Sequence, residues 1–94
     1  MTTLVFASTF SLNSRANAQN MICTVTDPTG TPLNVRDRPN GKVINSLRNG
    51  RDVDILDIKS DNRGRPWARV AGYHNNRYRV WGWVIREFIS CYES

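Results

Sequence analysis

The chain is expected to fold as an all-β barrel of about five to seven short, mostly antiparallel strands. Its 94 residues with 39% hydrophobic content suffice for one domain around one small core. Apolar segments are short and bounded at close intervals by Gly, Pro, Asn and Asp, which is how strands and turns alternate in barrels and sandwiches. Every candidate helical window is interrupted by Gly, Pro, Asn or β-branched residues.

The elements follow in order. Met21 to Thr26 (M-I-C-T-V-T) has strand composition, and Asp27-Pro28-Thr29-Gly30-Thr31-Pro32 is a turn. Leu33-Asn34-Val35-Arg36 alternates apolar and polar with the two-residue period of a half-buried strand, then stops at Asp37-Arg38-Pro39-Asn40-Gly41. Val43 to Leu47 resumes extended structure, and Arg48-Asn49-Gly50-Arg51 carries an Asn-Gly hairpin signal. Asp52 to Ile58 is a longer strand whose apolar parity shifts between Ile55 and Leu56, the mark of a bulge or a barrel corner. Asp61-Asn62-Arg63-Gly64-Arg65 is a polar hairpin tip. Pro66 to Val70 and Tyr78 to Val84 form the last long pair, with Ala71 to Arg77 as their connection. A single helical turn is expected near Glu87–Ile89, before a short strand around Cys91.

Residues 1–18 differ from the rest. Leu4 to Leu12 is a mildly apolar run, and Ala16-Asn17-Ala18 fits a small-x-small cleavage site, although Met1-Thr2-Thr3 lacks the usual positive charge. The segment is read as an export leader or a disordered tail, leaving residues 19–94 as the domain. Thirteen Lys and Arg against eight Asp and Glu give a net charge of +5. That excess suits nucleic acid, anionic lipid or acidic wall polymer alike, and selects no partner.

Leu33-Asn34-Val35-Arg36 followed by Pro39, then Val43, Leu47, Gly50 and Val53, then Trp67 and Val70, and finally Gly82-Trp83-Val84 resemble the motifs of the bacterial Src-homology-3-like domain family. The resemblance runs from about Leu33 to Ile89. It implies a small barrel that binds cell-wall or peptide ligands and does no chemistry. Asp37 departs from the small residue many members have there, and the stretch from Val70 to Trp81 is longer and more aromatic than the usual short turn.

The resemblance also bears on the cysteines. Cys23 and Cys91 bracket the domain, and in such a barrel the first and last strands lie side by side, so a Cys23–Cys91 disulfide is expected. A bridge enclosing most of the chain stabilises by about 4 kcal/mol in the loop-closure model. Such a bridge suits an oxidising compartment, and a periplasmic or secreted location is expected with it. No C-x-x-C is present, and one His is too few for a four-ligand zinc site without clustered carboxylates. Neither a metal nor a cofactor is expected.

Period-two alternation from inward Val70, Val80 and Val84 turns Trp67, Arg69, Arg79, Trp81 and Trp83 outward. Pairing Val70 with Val80 then sets Ala68 opposite Gly82, Trp67 opposite Trp83, and Arg69 beside Trp81. Extended by Tyr73 and Tyr78, these residues would make an aromatic, Arg-flanked ridge for a peptide or a sugar ring. The competing reading is that they cover a small core. Arg36 and Asp37 suit a local ion pair as well as a ligand, and His74 reads as a solvent-facing loop residue. No nucleophile has an evident base partner, so catalysis is not expected.

Taken together with the resemblance, these residues lead us to expect a monomeric, exported, non-catalytic binding module for peptidoglycan peptides or an envelope protein. The candidate ligand contacts are Tyr73, Tyr78, Trp81, Trp67, Arg69 and Trp83. Two alternatives are a basic small-barrel nucleic-acid binder and an assembly module with no soluble ligand.

Overall fold

A computed structural model describes residues 21–93; the export leader or disordered tail expected over residues 1–18 lies outside the described residues. Seven strands follow one another: β1 (Met21–Val25), β2 (Leu33–Arg36), β3 (Val43–Leu47), β4 (Asp52–Ser60), β5 (Pro66–His74), β6 (Arg77–Ile85) and β7 (Ile89–Glu93). One 3-10 turn, Arg86–Phe88, separates the last two. All pairings are antiparallel, in the order β3-β2-β6-β5-β4-β1-β7, and the sheet curls into an open half-barrel.

The turn chemistry is carried out as the composition demands. Gly50 and Gly64 take φ of 86° and 81° in the two hairpin tips, and Asn40 takes 61° behind Pro39. In β4 the register shifts between Ile55 and Asp57, so the parity break in the sequence is a bulge at Leu56.

Two expectations about the β5–β6 pair need correction. The connection predicted from Ala71 to Arg77 is almost all strand. Asn75 and Asn76 both sit at positive φ (51° and 65°), a two-residue turn whose twist matches the strands it joins. The ladder therefore closes to the tip, with Tyr73 opposite Tyr78 and His74 opposite Arg77. The register is also different. Ala68 faces Val84 and Val70 faces Gly82, with a shift before Ala71 meets Val80, which leaves Trp81 as the extra residue of a bulge.

Every strand contributes to the core, which gathers Val25, Leu33, Val35, Leu47, Val53, Ala68, Val70, Trp81, Val84 and Ile89. Burying an aliphatic side chain of this kind contributes about 1.5–3 kcal/mol, so such a core carries little reserve. A covalent staple adds to it. Cys23 and Cys91 stand directly opposite one another on β1 and β7 and are joined by a disulfide. Their sequence separation of 68 makes the loop constraint worth about 4 kcal/mol.

Candidate functional site

The six residues singled out from the sequence fall into two groups. Tyr73 and Tyr78 are exposed (68% and 46%), with ring centroids 5.1 Å apart in an edge-to-face pair. Arg69 is half-buried opposite Trp83 rather than beside Trp81. The three tryptophans are buried. The expected ridge therefore does not form; at Trp81 the reason is the bulge, whose extra residue turns Trp81 into the core and Val80 out to 54% exposure.

Trp81 packs against Gly72, where a Cβ would stand 2.5 Å from Cη2 and 2.7 Å from Cζ3 of the indole. Next to it, Gly82 has φ of +136°, and a Cβ there would lie 2.6 Å from the Arg36 carbonyl oxygen. Glycine thus permits both the indole on β5 and the close crossing of β6 over β2.

Trp67 and Trp83 are covered outside the ten-residue core cluster. The Trp67 indole N–H donates to Asp61 Oδ2 at 3.0 Å, and the Lys59 ammonium lies 5.6 Å from the Trp83 ring centre. Asp61 also accepts from the backbone N–H of Arg63 and Arg65 and from Asn40. These donors, the indole foremost, hold its carboxyl down at about 2, against 3.8 ordinarily. At the other end of the ribbon, Tyr78 Oη donates to Asp54 Oδ2 at 2.8 Å, and that carboxylate raises the phenol above its usual 10.0.

A large concavity lies elsewhere. An open groove of about 830 Å³ runs between Ile44–Leu47 of β3, with Arg48 just beyond it, and Arg79–Trp81 of β6, beside the β5–β6 turn. Arg48, Arg51, Arg79 and His74 line it, and among the described residues no carboxylate does. Arg51 is held in place: its Nη2 donates to the Tyr73 carbonyl at 2.7 Å and its guanidinium sits 4.9 Å from the Trp81 ring centre. Arg48 and Arg79 make no side-chain hydrogen bond or ion pair with another described residue, so their donors face the groove's solvent. Exposed Ile44 and Val80 supply its apolar surface. Asp52 and Asp54 line a second hollow and accept from Thr24 and Tyr78.

Arg48, Arg51 and Arg79 were not among the sequence-predicted contacts. They come from a turn, the residue before β4, and β6, and only the sheet order brings them together. The one sequence signal for them was the excess of arginine. Arg36, also weighed as a ligand contact, donates to the Gly41 carbonyl and pins its own turn, while Asp37 accepts from Arg38 and from the Lys42 backbone N–H.

No protein-family model, curated protein or solved structure matches this chain. Among the described residues, no helix is long and apolar enough to cross a membrane.

Proposed function

We propose that this chain is an exported, non-catalytic binding module of the cell envelope, and that its ligand sits in the groove between β3 and β6. The observation that carries the reading is the groove's composition: three arginines, aliphatic patches and no carboxylate. A surface of one charge sign, walled by low-dielectric side chains, concentrates ligands of the opposite sign. Export is supported by the disulfide and by the apolar run ahead of Ala16-Asn17-Ala18. The resemblance to bacterial Src-homology-3-like domains, in L-N-V-R and G-W-V, favours a wall peptide or an envelope protein as the ligand.

Retention on purified sacculi tests this reading. The wild-type protein should sediment with them, and the Arg48→Gln/Arg79→Gln double variant should stay in the supernatant. Wild type remaining in the supernatant would end the cell-wall reading. Trp81→Ala is an uninformative variant, because that indole is part of the core.

A further inference from the structure

We propose that the groove takes an extended acidic peptide. In this arrangement its backbone adds to the open edge of β6, and its carboxylates pair with Arg48 and Arg79. The proposal rests on the binding-module reading and names the ligand chemistry.

Three features converge on it. The first is charge: Arg48 and Arg79 offer guanidinium forks with no described partner, and a guanidinium matches a carboxylate bidentately. Arg51, by contrast, is already held by the Tyr73 carbonyl and the Trp81 ring, so it contributes positive field at little ordering cost.

The second is the strand edge. β6 pairs with β5 along its whole length, but β2 meets its other side at a single register position, Arg36 opposite Trp83. From Arg77 to Trp81 that side has no strand partner among the described residues, and Arg79–Trp81 is the part that borders the groove. Unpaired backbone groups in a strand edge accept an added strand, which is one of the recurring ways a peptide is bound.

The third is the side-chain pattern. Arg79 and Val80 are neighbours on that edge, and Ile44 faces the groove from β3. An extended peptide alternates its side chains, so carboxylates at every second residue can face the arginines while aliphatic residues meet Val80 and Ile44.

A nucleic acid fits these observations less well. Single-strand binding surfaces stack bases on exposed aromatic rings. Here Trp67, Trp81 and Trp83 are buried, exposed Tyr73 and Tyr78 pack against each other, and Tyr92, also exposed, is not among the residues lining the groove.

The test is an amide-resolved NMR titration of the full chain with three probes: a blocked hexapeptide alternating Val and Glu, its Val-Gln counterpart, and a thymidine dodecamer. The acidic peptide should bind about tenfold or more tighter than the Gln peptide. Its shifts should centre on the amides of Arg79 to Trp81, and Arg48→Gln/Arg79→Gln should remove the preference. Equal binding of the two peptides would overturn the carboxylate assignment and leave the module reading standing. So would sacculus retention with neither peptide bound. Shifts away from β6 would overturn the strand placement. Tighter binding of the oligonucleotide, falling steeply with salt, would overturn the peptide proposal. Peptide binding without sacculus retention would leave the groove assignment intact and remove the wall ligand instead.

Discussion

The β5–β6 ribbon has two halves that share a ladder and little else. From Trp67 to Val70, opposite Gly82 to Ile85, it is flanked by β4 and β2 and carries Trp67, Ala68, Val70, Trp83 and Val84 at 8% exposure or less. From Tyr73 to the Asn75-Asn76 turn and back to Val80, it projects Tyr73, Tyr78 and Val80 into solvent. Trp81 is the joint. Because it is the extra residue of a bulge, the alternation that turns Trp83 out and Val84 in is reset beyond it. The buried half is architecture, and the projecting half forms one wall of a cationic groove.

The largest effect that can break this comparison comes from the buried half. Trp67→Ala removes a large side chain at 2% exposure and leaves Asp61 without its indole donor. A loss of about 3–5 kcal/mol is expected, read as a lower urea midpoint. A shift indistinguishable from that of an exposed-residue substitution would mean the indole is peripheral cover and the two halves are alike.

A smaller effect is expected at the joint. In Gly72→Ala the new methyl must displace the Trp81 ring, which is packed in the core and carries Arg51 on its face. Overpacking of this kind costs about 1–3 kcal/mol. The variant should also show a shifted indole N–H resonance for Trp81, and those of Trp67 and Trp83 should hold still. An unmoved Trp81 signal would show that the bulge does not tie the ring to the groove.

Much of the fold was legible because its signals are local. Asn49-Gly50, Asp61 to Arg65 and the L-N-V-R alternation each fix a strand or turn within a few residues. The parity break at Ile55-Leu56 even disclosed the β4 bulge. The bulge in β6 left no such trace. In Val80-Trp81-Gly82-Trp83-Val84, valines and tryptophans alternate perfectly around a glycine, so strict period-two and a one-residue slip read alike. The missed clues were Gly82 itself, a frequent companion of bulges, and Asn75-Asn76, which closes a two-residue turn and fixes the register from the tip. The groove was beyond local reasoning. Arg48, Arg51 and Arg79 converge only because β6 lies next but one to β3 in the sheet.

The smallest predicted effect separates the two ends of the ribbon by pH. The base of the ribbon is pinned by Asp61 on Trp67, a carboxyl whose folded value of about 2 lies below the ordinary 3.8. Between those values the unfolded chain binds more protons than the folded one. The Asp61 contribution is therefore complete above about pH 4 and fades as pH falls toward 2. Near the tip, Tyr78 is pinned on Asp54 and its phenol is raised, so the sign reverses: that contribution is complete below pH 10.0 and fades as pH rises through the folded value. Asp61→Asn should flatten the acid limb of a urea-midpoint profile and leave the alkaline limb unchanged. Tyr78→Phe should do the opposite. Both residues stand at the surface, where solvent screens such pairs, so each change is expected to be slight. If either variant alters both limbs equally, the two pins report one cooperative unit, and the division of the ribbon at Trp81 is one of exposure alone.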